Sequence, residues 1–373
     1  MDGWCDPAFR AVRDAFAENF EERGEVGAGV CVIVDGRTAV DLVGGWSDEA
    51  RTRLWQPDTV VNVYSVGKAI LALLVLQLVD RGEIGLDDPI ASVWPEFAVG
   101  GKQTATLRHA LCHQAGVPAI RQPMTDDHLW DWDRMVEALA ATEAWWEPGT
   151  RHAYHTNTFG HLIGEVIRRV TGDRPGARLR TVTGPLEADV WFGVPLREQA
   201  RCAEVIWAPA APIGGLDRAR LEGDALMSAL AHLNPPGYSS IGLVNTSRWR
   251  SAEIPSTNGH ATATGLARVY AGMLRYGELL SAELLGHASG VASRGWCPIL
   301  NDDVSFGLGF TPTSSSRPLG PNPHSFGHFG TGGALGFADP DAGVAFGYVM
   351  NHVVPRWRST RNQALINALY GCL

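Results

Sequence analysis

Apolar residues at Phe9, Val12, Phe16 and Phe20 return every three or four positions, a spacing that predicts an amphipathic helix over 7–23. The period then changes. Gly27-Ala28-Gly29-Val30-Cys31-Val32-Ile33-Val34 and Ala39-Val40-Asp41-Leu42-Val43-Gly44-Gly45 are β-rich runs on either side of Asp35-Gly36, a dipeptide suited to a tight hairpin turn. Further on, Ala69-Ile70-Leu71-Ala72-Leu73-Leu74-Val75-Leu76 is apolar nearly all round. A helix of that kind, opening at Ser65 and closing near Arg81-Gly82, runs through the interior of a domain.

From about residue 95 to 255 helical patterns and loops bearing tryptophan and proline take over, among them Trp130, Trp132, Trp145, Trp146 and a helix over 158–171. Irregular connections are expected at 208–215 and 234–237. After 255 come a helix over 264–275, β-rich runs at 303–311, 324–329, 333–338 and 342–350, and a last helix over 357–371. Strands near both ends with helices between imply an α+β fold: one antiparallel sheet built from both chain ends, and a helical region inserted in the middle. There is no internal repeat and no low-complexity segment.

Composition narrows the function classes. A chain of 373 residues buries a full core, as one large domain or two interleaved ones. Its 31 Lys+Arg against 40 Asp+Glu give a net charge of −9, with no basic stripe, which points away from nucleic acid and anionic membranes. The apolar stretch at 69–79 is too short to cross a bilayer and contains Gln77. Met1-Asp2-Gly3-Trp4-Cys5-Asp6-Pro7 has neither the basic nor the apolar part of a secretory signal. The six cysteines (Cys5, Cys31, Cys112, Cys202, Cys297, Cys372) have no metal-finger or CxxC spacing and read as free thiols of a reducing compartment. A cytoplasmic protein is expected, with no nucleic-acid or membrane partner. Its oligomeric state is open.

Candidate chemistry gathers at Ser65-Val66-Gly67-Lys68. Residues three apart share a helix face, so hydroxyl and amine are one turn from each other. Burial disfavours an ammonium, and a neutral amine beside a serine at a helix N-terminus makes a nucleophile. The plainer reading is an N-cap serine followed by a solvated lysine. Tyr154, just after the turn at Pro148-Gly149, is either a phenol delivered into a cleft, its pKa lowered by Lys68, or a buried structural tyrosine. His109 and His113 are tempting as bases but read better as structural. His328, in Phe326-Gly327-His328-Phe329-Gly330, is either a donor facing substrate, a group tuning Tyr154 and Lys68, or a satisfied strand histidine.

Other chemistries lack their signatures. There is no Gly-x-Ser-x-Gly elbow; Gly286-His287-Ala288-Ser289-Gly290 has its serine one place late. There is no HExxH, GxGxxG or P-loop. The spacing of His152, His155 and His161 does not suit a metal, so neither metal nor cofactor is expected.

Four segments together resemble the penicillin-recognising serine hydrolases, the group of class C β-lactamases, DD-peptidases and related family VIII carboxylesterases. They are Ser65-Val66-Gly67-Lys68; Leu107-Arg108-His109-Ala110-Leu111-Cys112-His113-Gln114-Ala115-Gly116-Val117-Pro118; Pro148 to Gly160 around Tyr154; and His328-Phe329-Gly330-Thr331-Gly332-Gly333. The resemblance implies an α/β/α sandwich over 1–95 and 255–373, a mostly helical domain over 96–254, and an active site in the cleft between them. It implies Ser65 as nucleophile, Lys68 and Tyr154 as proton carriers, and an oxyanion hole from the backbone N–H groups of Ser65 and Thr331. Gly330, His328, Thr156 and Asn157 would complete the substrate site.

Two departures matter. Threonine stands at 156 where the family has a substrate-contacting asparagine, with Asn157 one place off; His328 replaces a lysine that holds substrate carboxylates. A neutral histidine anchors an anion poorly. The expected function is therefore a serine carboxylesterase for short-acyl esters. Alternatives are an acyltransferase, amide hydrolase or peptide cyclase with the same acyl-enzyme and weak β-lactamase activity, or a silent ligand-binding relative. The partner is a small ester or amide.

Overall fold

The computed structural model describes residues 1–207, 218–275, 277–354 and 359–373. The connection expected at 208–215 lies outside the described residues, as does the start of the helix expected at 357–371. The rest of that helix runs Thr360–Tyr370.

A seven-stranded antiparallel sheet draws its strands from both ends of the chain. Its spatial order is Asp2–Cys5, Arg37–Gly45, Gly27–Val34, Val344–Met350, Leu335–Asp339, Phe326–Phe329 and Thr311–Pro312. At its centre Gly27–Val34, apolar on both faces, pairs with Val344–Met350, with Val34 opposite Val344 and Ala28 opposite Met350. A strand buried on both sides needs cover on both. On one face Gly29 and Gly347 abut Ala263 of the Ala263–Leu274 helix. On the other Gly44 abuts Phe20 of the Arg10–Glu22 helix, which packs against Thr360–Tyr370. The result is an α/β/α sandwich.

The Val66–Asp80 helix is buried along almost its whole length and packs between Phe326–Phe329 and the Thr158–Thr171 helix. Ser65 stands at its N-cap. Between residues 96 and 254 lie further helices, including Leu107–Leu111, Trp132–Ala141, Pro175–Thr183 and Gly223–Leu233.

One strand expectation needs correction, and two strands were not expected. The run at 303–311 is two elements: Asp302–Phe306 pairs with Ser293–Cys297 in a separate hairpin, and only Thr311–Pro312 joins the main sheet. Between them Gly309 takes φ +83°, and its N–H donates to Leu111 O at 3.0 Å, which turns the chain away. The strands Asp2–Cys5 and Ser293–Cys297 carried no alternation in the sequence, being mostly exposed or mixed in burial.

Candidate active site

Tyr64, immediately before Ser65, has φ +50°, a conformation costly for a bulky L-residue and one that fixes how the chain enters the helix. Its hydroxyl meets Ser240 Oγ at 3.3 Å. One turn into the helix, Lys68 is fully buried, and its Nζ is 3.0 Å from Ser65 Oγ, 2.6 Å from Thr156 O and 3.0 Å from Ser256 O. Burial drives the amine well below the usual lysine range. A neutral amine has two hydrogens and one lone pair. The two carbonyls can only accept, so they take the hydrogens and leave the lone pair for the Ser65 hydroxyl.

Tyr154 is buried against the same amine, with Nζ 4.8 Å from the ring centre, and its hydroxyl is hydrogen-bonded to Ser65. The expected lowering of its pKa by Lys68 is absent. Burial is the largest effect and pushes the phenol up, the Ser65 hydrogen bond opposing it, and Lys68 carries no charge to help. In the resting site Tyr154 is a neutral phenol, a proton donor.

His328 also departs from expectation. Its Nδ1–H donates to Phe329 O at 2.8 Å, and burial holds the ring near pKa 3. A neutral imidazole has one N–H, and here it is committed, so His328 has no donor for substrate and no charge for a carboxylate. The ring lies 6.2 Å from that of Tyr154, as a neighbour. His113 accepts the His155 backbone N–H at Nδ1 (3.1 Å) and packs 4.9 Å from the Tyr154 ring. His109 accepts from Thr106 N at 3.3 Å in a helix capping box. Both are structural, as read from sequence.

Thr156 contributes its carbonyl to Lys68 and lines the pocket. Asn157 stands in the pocket wall, but its amide is already engaged. Nδ2 donates to Ala231 O at 2.6 Å, and Oδ1 accepts from Thr257 Oγ1 at 2.5 Å, so the amide is held in the wall with one N–H left over. That bond ties the wall to the Gly223–Leu233 helix. His152 Nε2 donates to Gly295 O, His155 uses both ring nitrogens within the fold, and His161 packs on Trp132, so the three do not converge.

Phe326–Phe329 ends beside this group, and a short 3-10 turn, Thr331–Gly333, follows. Gly330 is required by close approach: a Cβ there would stand 2.3 Å from Val63 O, on the segment leading into Ser65. That contact draws Thr331 and Ser65 to one cavity of about 400 Å³, walled also by Tyr64, Trp207, Tyr238 and Phe329. Its lining among the described residues mixes aromatic side chains with hydroxyls, Asn157 and His232, without a lysine, arginine or carboxylate.

Tyr64 and Arg317, both close to the reacting groups, were not singled out from sequence. A left-handed residue before a helix leaves no mark in periodicity, and Arg317 sits in an irregular loop.

A family model for Beta-lactamase matches residues 12–370. The Esterase/beta-lactamase LipL of Mycobacterium tuberculosis is 35% identical over 375 residues, which span 94% of this chain and 83% of that protein. The crystal structure of a family VIII carboxylesterase superposes with a TM-score of 0.92 at 36% identity, covering 100% of this chain and 99% of that one. A penicillin-binding protein homolog from Caulobacter crescentus gives 0.91 at 36% identity, with the same coverage.

Proposed function

The chain belongs to the beta-lactamase family, and from that premise we propose that it is a serine carboxylesterase hydrolysing short-acyl esters through an acyl-enzyme on Ser65. That it is a serine hydrolase follows from the family and its esterase relatives. In our reading Lys68 takes the Ser65 proton as Oγ attacks the ester carbonyl. The oxyanion is held by the backbone N–H groups of Ser65 and Thr331. Tyr154 gives its proton to the leaving alcohol and regains one from Lys68, and water repeats the sequence to free the acid.

The observation that supports this most is the Lys68 amine, fully buried so that its pKa is lowered, held between two carbonyls with Nζ 3.0 Å from Ser65 Oγ. The neutral cavity, with His328 uncharged beside it, favours an uncharged ester over a substrate bearing a carboxylate. We retain the division into 1–95 with 255–373 and 96–254, because both parts line the cavity, Ser65 and Thr331 from the one and Tyr154, Thr156 and Tyr238 from the other. The free thiols accord with a cytoplasmic location.

The test is intact-protein mass after brief exposure to p-nitrophenyl butyrate, with p-nitrophenol release followed in parallel. A butyryl adduct and turnover in wild type, both absent in Ser65→Ala, are expected. Turnover that persists in Ser65→Ala would overturn the mechanism. Adding an amine or alcohol acceptor distinguishes acyl transfer from hydrolysis.

A further inference from the structure

The hairpin of Ser293–Cys297 and Asp302–Phe306 is outside every sequence motif, yet it cradles Tyr154. The Phe306 ring lies parallel to that of Tyr154, 5.7 Å away and 9° from coplanar. Tyr154 N–H donates to Cys297 Sγ at 3.2 Å, and Cys297 pairs across the hairpin with Asp302. Asp302 in turn accepts from Arg317 Nη2 at 3.0 Å. This chain of contacts ties the Arg317 guanidinium to the hairpin that holds Tyr154.

The groups around Tyr154 can be compared by charge. Lys68 is neutral through burial, His113 and His328 are held uncharged, and burial keeps the Cys297 thiol protonated. Arg317 stays charged and interacts electrostatically with Tyr154 from an interior position, its side chain only 8% exposed. Its partner Asp302 is 45% exposed, so water screens the carboxylate far more than the guanidinium. Of the two, the guanidinium acts on the phenol more strongly, in the direction that favours the phenolate.

We propose that Arg317 is a positioning residue for the reaction: its buried charge steadies the negative charge that develops on the Tyr154 oxygen as the phenol hands its proton to the leaving alcohol. This rests on the reading of Tyr154 as proton donor given above. As the C–O bond of the tetrahedral intermediate breaks, the Tyr154 O–H proton moves to the departing oxygen. The phenolate left behind takes a proton from the Lys68 ammonium, which had received it from Ser65. Arg317 acts through Tyr154.

A p-nitrophenolate leaves without a proton, whereas an alkoxide does not, so the two substrate types separate the roles. In Arg317→Gln, kcat/KM for ethyl butyrate should fall about tenfold, while that for p-nitrophenyl butyrate stays within about twofold. Arg317→Lys should restore most of the ethyl ester rate. Incomplete folding scales both rates alike, so their ratio reads the charge even in a weakened variant. An unchanged ratio in Arg317→Gln, with Tyr154→Phe losing the ethyl ester selectively, would overturn the role of Arg317 and leave the donor intact. If Tyr154→Phe itself shows no such selectivity, the donor reading falls and the role of Arg317 with it.

Discussion

The chain contains two lysines, and both are sealed from solvent. Lys68 and Lys102 have closely similar surroundings. Lys68 Nζ donates to the carbonyls of Thr156 and Ser256 and lies 4.8 Å from the Tyr154 ring centre. Lys102 Nζ donates to the carbonyls of Val99 and Thr142 and lies 5.2 Å from that of Phe97. They differ in what remains. Lys68 is deeper, its basicity suppressed well below the usual range, and its remaining valence meets Ser65 Oγ beside a cavity. Lys102 is held near pKa 8, burial lowering it and Glu143 raising it, and it pins the turn at Gly100 to the end of the Trp132–Ala141 helix. Burying a lysine between two carbonyls is thus a structural device, and it becomes chemistry only where the lone pair has a hydroxyl to meet.

The sharpest way to break that comparison is to replace each lysine with methionine. Lys68→Met should lower kcat/KM for p-nitrophenyl butyrate by a factor on the order of 10³. Lys102→Met should leave it within about twofold. Comparable losses in the two variants would show that Lys68 has no chemical role.

Acid should find the Lys68 side first. His155 and His328 are held near pKa 3, His161 and His260 near 4, and His113 is also lowered, in each case chiefly by burial. Below about pH 6.5 an unfolded histidine binds a proton that the folded one refuses. Stability therefore falls with pH from about 6.5 down to about 4, by about 1.4 kcal/mol per pH unit for each such group. His113, His155 and His328 all interact with Lys68, and none of the five is placed against Lys102. Hydrogen exchange near pH 4.5 should show protection lost around Tyr154 and Phe326–Phe329 before the Lys102 turn. The reverse order would refute the assignment.

Both methionine variants strip two carbonyls of their donor, so each should lose about 1–3 kcal/mol of stability, read from urea midpoints. Equal destabilisation with unequal activity is the pattern the comparison requires. The smallest effect is on the pH profile. Rates should fall as the pH drops through the lowered Lys68 pKa and show no inflection near 8 traceable to Lys102. With only two lysines, selective isotope labelling resolves both amines by NMR and assigns each titration directly.

The sequence disclosed the elements with strong periods. The helix expected at 158–171 is Thr158–Thr171, and the apolar run after Ser65 is the buried helix that carries Lys68. Ser65, Lys68 and Tyr154 were legible because their motifs are local, and the structure brings them together. Properties that depend on surroundings were not legible. The sign of the Tyr154 shift depends on burial from the 293–306 hairpin and on a lysine without charge. The commitment of His328 and Asn157 to neighbouring carbonyls depends on backbone direction. Arg317 is tied to Tyr154 through a hairpin of which only the second strand, within the run expected at 303–311, was legible.

The central sheet couples residues about 310 positions apart, Val34 to Val344. At ordinary rates of synthesis the first hairpin waits roughly 15 to 60 seconds on the ribosome before its neighbour is made. During that interval Gly27–Val34 pairs with Arg37–Gly45 on one edge only, and its other edge waits for Val344–Met350. Translation halted before Val344 leaves the central strand Gly27–Val34 with one edge unpaired, so the sheet closes only when nearly the whole chain has been made.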